Sequence, residues 1–212
     1  QQRFLVARLV MALFCLILFA APAWAQSKRS LPGFEESLNI YNYGDDQNAY
    51  KNFQRLAMAG DERAQFYLAT MLEAGQGVGK DIYGAVSWYL KSAKQEYPPA
   101  MAYVGYLFSS GSGVTKNDTE AFKWYTRAAQ LGDAGSQNNL GVMLRDGQPY
   151  KKDYGLAAQW FLQAATQSHA AAQYNLGSMY RLGQGVKKNS AEALRWYTYA
   201  AKQGNIYAEN AL

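Results

Sequence analysis

The chain has 212 residues, 49% of them hydrophobic and 17% charged, a balance that supports a packed core and excludes a disordered polymer. Its formal charge of +5 falls to about +3 without Arg3 and Arg8 and gives no basic stripe, so nucleic acid is not an expected partner. Five prolines and the absence of an alternating Val, Ile or Thr run favour helix over sheet, and an all-α chain is expected.

The first segment differs in kind from the rest. Arg3 and Arg8 precede an apolar run from Leu9 through Ala21, followed by Ala23-Trp24-Ala25 before Gln26. A basic start, an apolar centre and a small-x-small site predict a secretory signal peptide over residues 1–25, and a periplasmic chain after its removal. If the segment is retained, Phe4, Leu5 and Val6 extend it toward the roughly 17–25 residues that span a bilayer, and the chain becomes an inner-membrane anchored protein facing the periplasm. The single cysteine, Cys15, lies inside the apolar run without a Leu-small-small sequence before it, so it is not read as a lipidation site. The exported chain would hold no disulfide, and its stability must come from packing.

Residues 26–44 read as a linker and a degenerate N-terminal cap helix at 34–40. From residue 45 to 212 the chain aligns to itself at a spacing of 36 without a gap. Asp45, Asp81, Asn117, Asp153 and Asn189 form one column, each a residue type favoured at a helix N-cap. Ala49, Ala85, Ala121, Ala157 and Ala193 form a second, and Ala57, Ala93, Ala129, Ala165 and Ala201 a third. Between them stand Trp88-Tyr89, Trp124-Tyr125, Trp160-Phe161 and Trp196-Tyr197, at spacings that put the alanines and rings on one side of a helix. A second helix begins after Gly60-Asp61, Gly132-Asp133 and Gly204-Asn205, where glycine suits a left-handed C-cap and the next residue caps the following helix. Glu96-Tyr97 and Ser168-His169 depart from this pattern.

Inside that second helix, Leu68-Ala69-Thr70-Met71-Leu72 matches Val104-Gly105-Tyr106-Leu107-Phe108, Leu140-Gly141-Val142-Met143-Leu144 and Leu176-Gly177-Ser178-Met179-Tyr180. Glycine costs about 1 kcal/mol against alanine within a helix, so its recurrence predicts a close helix-helix approach. Gly75-x-Gly77-Val78, Gly111-x-Gly113-Val114 and Gly183-x-Gly185-Val186 turn the chain back, with Gly147-Gln148-Pro149-Tyr150 as the odd member.

These columns, AxxWYxxAAxxG, AQxNLGxMY and GxGVxKD, resemble the Sel-one-like repeat, a relative of the tetratricopeptide repeat. The resemblance covers about residues 45–212. It implies an all-α, right-handed α-solenoid of antiparallel helix pairs with a 36-residue repeat. Physical reasoning agrees, because each pair has one apolar face too many and buries it against the next pair. Four pairs are expected over 62–94, 98–130, 134–166 and 170–202. Residues 206–212 begin another helix. A solenoid end without a polar cap leaves apolar surface, so either the sequence is a fragment of a longer chain or something covers that end, self-association being one way to do so.

The inventory for chemistry is thin. His169, the one histidine, occupies the column of Asp61, Asp133 and Asn205 and is read as a turn residue that starts a helix. No His, Cys or acidic cluster has metal-ligand spacing, and no cofactor is expected. Gly75-Gln76-Gly77-Val78-Gly79-Lys80 and Gly183-Gln184-Gly185-Val186-Lys187-Lys188 follow helices and lack the GxxxxGK[ST] spacing of phosphate loops. Adjacent acids such as Asp45-Asp46 and Glu35-Glu36 do not make an acid/base couple. Some cysteine-rich proteins with this repeat are linked to β-lactam binding or hydrolysis, but they carry a cysteine pair in each repeat and the repeats here have none. No enzyme is expected. The Trp-aromatic pairs are read as packing rather than as a stacking platform for bases or sugars.

The resemblance places a protein partner in a concave groove lined by the first helix of each pair. With positions 64, 68, 71 and 72 pointing into the core, helical phase turns three positions per repeat outward. They are Phe66, Thr70 and Glu73; Ala102, Tyr106 and Ser109; Asn138, Val142 and Arg145; Tyr174, Ser178 and Arg181. Tyr and Arg are types that anchor protein interfaces. Asn139 and Asn175 stand at the family's common Asn, and the resemblance suggests that they hydrogen-bond a bound backbone. The expected function is a non-enzymatic exported adaptor or scaffold of the cell envelope, with an anchored accessory subunit of an inner-membrane complex as the alternative.

Overall fold

The structure is a computed structural model and describes residues 33–212. The described chain is all helical, with consecutive helices packed in pairs as in an α-solenoid and no strand among the described residues. It divides into two compact units, 33–88 and 89–212, with the boundary inside a helix.

The first unit contains α1 (Phe34–Tyr43), α2 (Asp46–Met58) and α3 (Glu62–Ala74), and α4 (Ile82–Lys94) begins in it. Asp45 caps α2 by accepting from the Asn48 N–H, and Asp61 caps α3 by accepting from the Arg63 and Ala64 N–H groups. α1 lacks the repeat's glycines and docks instead through rings. Phe34 and Tyr41 pack against Phe53 and Tyr67, with centroids 5.8–6.2 Å apart, while Phe53 and Tyr67 stack at 5.1 Å. Arg63 closes this cluster, its guanidinium 3.7 Å above the Phe34 ring and 3.0 Å from the Glu35 carboxylate.

The second unit contains the rest of α4, then α5 (Pro98–Ser110), α6 (Asp118–Gln130), α7 (Ala134–Asp146), α8 (Tyr154–Thr166), α9 (Ala170–Leu182), α10 (Ser190–Ala201) and the short α11 (Ile206–Glu209). Asn117, Asp153 and Asn189 cap α6, α8 and α10 with their side chains, and Asp133, His169 and Asn205 cap α7, α9 and α11. The alanine columns are core throughout, with Ala121 and Ala157 at 0% exposure and Ala193 at 3%.

The recurring glycines have the predicted cause. A Cβ on Gly105, Gly141 or Gly177 would stand 2.8, 2.7 or 2.8 Å from the ring of Tyr125, Phe161 or Tyr197, too close for any carbon. The buried ring of each aromatic pair is therefore the second. Tyr89, Tyr125, Phe161 and Tyr197 are 0–4% exposed, whereas Trp88, Trp124 and Trp160 are half-buried and only Trp196, at 8%, is buried. Both members of a pair pack, but unequally: adjacent residues point about 100° apart on a helix, only one can face the glycine, and a tryptophan such as Trp160 packs against the core from its edge.

The two departures from the Gly-Asp turn are resolved by the backbone itself. Glu96 (φ 64°) and Ser168 (φ 63°) adopt the left-handed conformation that Gly60, Gly132 and Gly204 supply elsewhere. Such a residue costs about 1 kcal/mol that glycine does not. α5 then starts with prolines in its first turn and no side-chain cap from Tyr97.

Buried glutamines add a device that the sequence reading left without a role. Gln65, Gln137 and Gln173 each donate through Nε2 to the carbonyl of Ala57, Ala129 or Ala165, at 3.1–3.2 Å. Those carbonyls lie in the last turn of the preceding helix, where intrahelical partners run out. In the second unit Gln167 and Gln203 reach back to Gln137 and Gln173, both at 2.8 Å, and carry the bridge across to the far end of the same repeat.

Candidate functional site

On α3, Phe66, Thr70 and Glu73 are half-buried. The Thr70 hydroxyl donates to the Phe66 carbonyl at 3.1 Å, and the Phe66 ring meets Tyr67 edge-on at 5.9 Å. These residues belong to the first unit, and the remaining candidates to the second.

In the second unit α5, α7 and α9 hold equivalent places in successive repeats. Tyr106 and Arg181 are exposed, while Ala102, Ser109, Asn139, Val142, Arg145, Tyr174, Asn175 and Ser178 are half-buried. Asn138 departs from expectation. At 9% exposure it is buried, because its carboxamide oxygen accepts from Asn175 Nδ2 at 2.9 Å across the gap between α7 and α9. Phase on one helix turned Asn138 outward, but the neighbouring repeat covers that direction.

The buried ring at the centre of each repeat decides what these side chains do. The Tyr125 hydroxyl has the polar side chains of Ser109 and Asn139 as neighbours, and both favour its ionised form. Burial raises the Tyr125 phenol above its ordinary pKa, against the opposing pull of these two neighbours. Tyr197 behaves likewise, its hydroxyl 3.1 Å from Ser178 Oγ and accepting from Arg181 Nε at 3.2 Å. Between them stands Phe161, fully buried and without a hydroxyl. The residues equivalent to Ser109 and Asn139 are Arg145 and Asn175, and with no oxygen to hold them they turn to each other.

Arg145 Nη1 donates to Asn175 Oδ1 at 3.2 Å, and its Nε and Nη2 engage Asp146 at 2.7 and 3.1 Å. The Arg145 hydrogen bonds hold the Asp146 carboxyl below its ordinary pKa against the effect of burial, with the Arg145 and Lys152 charges adding to the lowering. Around them opens a cleft of about 300 Å³, walled by Lys152 and Tyr154 on one side and Ser178, Leu182 and Gln184 on the other. The cleft can offer guanidinium and amide N–H donors, one hydroxyl and a flanking ammonium. It holds no nucleophile-base pair, and no group of three or more His, Cys, Asp or Glu able to hold a metal occurs among the described residues.

A second concavity, about 460 Å³, lies on the opposite helix type, between Phe122, Lys123, Trp124, Arg127 and Tyr150. Tyr150 comes from the odd loop Gly147-Gln148-Pro149-Tyr150 and packs edge-on against Phe122 at 5.0 Å. The sequence marked that loop as irregular without showing which helix its ring would cover.

His169 is where its column predicted it. Its Nδ1 accepts from the Ala172 N–H at 3.2 Å as the cap of α9, which requires that nitrogen to be unprotonated. Burial lowers its pKa, and the Asp133 charge opposes that shift.

The family model of the Sel1 repeat matches residues 40–61, 62–97, 98–133, 134–169 and 170–205. Among solved structures, a Sel1 repeat protein from Oxalobacter formigenes is 36% identical, with a TM-score of 0.73 over 78% of this chain and 48% of that one. A protective antigen of uropathogenic Escherichia coli strains with an SLR fold is 31% identical, with a TM-score of 0.79 over 87% of this chain and 40% of that one. The chain thus spans less than half the length of each. Helicobacter pylori cysteine rich protein B is 25% identical over 63% of this chain and 99% of its own, with a TM-score of 0.51. No curated protein matches the chain.

Proposed function

Because the chain belongs to the Sel1 repeat family, we propose that it is an exported, non-enzymatic adaptor or scaffold that binds a protein partner on the face built by α5, α7 and α9. Sel1 repeat proteins generally mediate protein–protein interactions. The observation that carries the placement is a contrast within the second unit. Positions that pack are nearly constant from repeat to repeat, as in Ala121, Ala157 and Ala193, whereas the face positions run from Tyr106 and Ser109 to Val142 and Arg145 to Ser178 and Arg181. A surface free of packing duty is where binding chemistry can vary. Export is supported by Arg3, Arg8, the Leu9 to Ala21 run and Ala23-Trp24-Ala25. The length of that apolar run also supports a second reading, an N-terminally anchored accessory subunit of an inner-membrane complex. Among the described residues no helix is long and apolar enough to cross a membrane.

The test is co-purification from native membranes in mild detergent, with mass spectrometry of the bound proteins and of this chain's first residue. The adaptor reading expects a chain that begins at Gln26, and a protein partner that is lost when Tyr106, Arg145 and Tyr174 are changed together to Ala. An intact first segment with a stoichiometric membrane partner would establish the anchored subunit. Turnover of a β-lactam or peptidoglycan fragment by the purified chain would overturn the non-enzymatic reading.

A further inference from the structure

Basic and acidic side chains are not shared evenly between the two units. Residues 33–88 carry Lys51, Arg55, Arg63 and Lys80 against eight acidic side chains, and residues 89–212 carry thirteen basic against eight acidic. Part of the second unit's excess gathers beside the cleft between α7 and α9. The loop that ends in Lys151-Lys152 borders it, and Lys152 lines its wall. The next loop is drawn against the same edge: a Cβ on Gly185 would overlap the backbone carbonyl of Tyr154, so only glycine lets Lys187-Lys188 approach the start of α8. All four lysines are exposed. The acids nearby are already engaged, Asp146 by Arg145 and Asp153 by the Leu156 N–H at 2.8 Å.

We propose that this cleft takes a carboxylate from an acidic segment of a protein partner, and that Phe161 is the residue that makes its donors available. The proposal rests on the adaptor reading above and names the chemistry of the partner. The repeats supply the control within one molecule. Where the buried ring is Tyr197, its hydroxyl is hydrogen-bonded to Ser178 and Arg181, and the Tyr125 hydroxyl has polar Ser109 and Asn139 as neighbours. Where it is Phe161, no such acceptor lies beneath Arg145 and Asn175; Asn175 bonds Asn138 and Arg145 instead, and Arg145 leans on Asp146, its exposed neighbour in the chain. An arginine fork held by a surface carboxylate can exchange that carboxylate for another at little cost, since exposed ion pairs are weak and a bidentate contact is regained. Lys152 and the adjacent lysines raise the local concentration of an anionic segment.

The test is fluorescence anisotropy with the purified chain and a labelled Glu-Gly repeat peptide, with the matching Gln-Gly peptide as control, at low and moderate salt. The expected result is saturable binding of the Glu peptide that weakens with salt and is about tenfold weaker for the Gln peptide. Arg145→Gln should weaken Glu-peptide binding by about tenfold. Phe161→Tyr should weaken it comparably while the chain keeps its helical signal and cooperative melting, because the new hydroxyl captures Arg145 and Asn175 as Tyr197 captures Arg181. Lys116→Gln, on another loop and paired with Asp118, should leave binding unchanged. Equal binding of the two peptides, or no binding of either, would overturn the acidic-ligand inference and leave the adaptor reading to its own test. Full binding by a well-folded Phe161→Tyr chain would overturn the role of Phe161, and an equal loss in Lys116→Gln would reduce the effect to general charge attraction.

Discussion

Tyr125 and Phe161 occupy the same place in successive repeats, each pressed against a glycine of the preceding helix, and each is buried. The surfaces above them nevertheless differ. Over Tyr125, the polar side chains of Ser109 and Asn139 neighbour the phenol oxygen, and in the following repeat Ser178 and Arg181 are hydrogen-bonded to the Tyr197 hydroxyl. Over Phe161, Arg145 bridges Asn175 and Asp146, and a polar cleft opens. One hydroxyl on a buried ring sets whether the polar side chains above it bond to the core or, as with Arg145, Asn175 and Asp146, to one another.

The strongest way to break this comparison is to remove the ring that both sites share. Phe161→Ala and Tyr125→Ala should each cost about 3–5 kcal/mol, read as the loss of denaturation midpoint in urea. Trp124→Ala should cost less, about 1–2 kcal/mol, because its ring is half-buried with Arg127 over it at 5.5 Å. Equal losses for Trp124 and Phe161 would show that the pair carries the load jointly. Next in size is Gly141→Ala, whose new methyl would meet the Phe161 ring at 2.7 Å. Overpacking of about 1–3 kcal/mol should exceed the gain in helix propensity, so this variant melts earlier, whereas a stabilised variant would mean that the helices can separate.

A subtler change sharpens the comparison. Tyr125→Phe should make the third repeat resemble the fourth, at a cost of about 1 kcal/mol for the lost polar contacts, with the Asn139 amide gaining mobility in NMR relaxation. An Asn139 amide as ordered as before would mean that the hydroxyl does not hold it.

The smallest expected effect is pH-dependent. His169 has a folded pKa below its ordinary value of about 6.5, so the folded state binds fewer protons than the unfolded one. Its contribution is complete above that ordinary value and falls as pH drops from about 6.5 toward the folded pKa, with Asp133 the charged group that moderates the loss. Stability should decline across that window, as the cap of α9 is lost. His169→Asn, which restores the residue of the Asn205 column, should remove that part of the slope. An unchanged slope would place the titration elsewhere.

Much of the fold was legible because it is written in local chemistry repeated at a fixed interval. Asp45, Asp81, Asn117, Asp153 and Asn189 announce helix starts with their own side chains, and the alanine columns announce buried faces. Glycines 105, 141 and 177 announce close approach. What stayed hidden depends on a neighbouring helix or on the backbone itself. Asn138 points outward on α7 by helical phase, yet Asn175 covers it. Gln137 and Gln173 sit in a visible column, but the carbonyls they satisfy belong to the preceding helix. Glu96 and Ser168 broke the glycine pattern, and only the backbone shows that they adopt the same left-handed turn.

By itself, then, the sequence determined the repeat length, the helix boundaries, the packing columns and the family, because propensity, capping and periodicity act within a few residues of each other. Only the tertiary structure decided which ring of each aromatic pair is buried, where the absence of a hydroxyl at Phe161 leaves Arg145 and Asn175, and which loops bring their lysines to one cleft. Those are contacts between residues on different helices, well separated in the chain, and their geometry exists only once the helices are stacked.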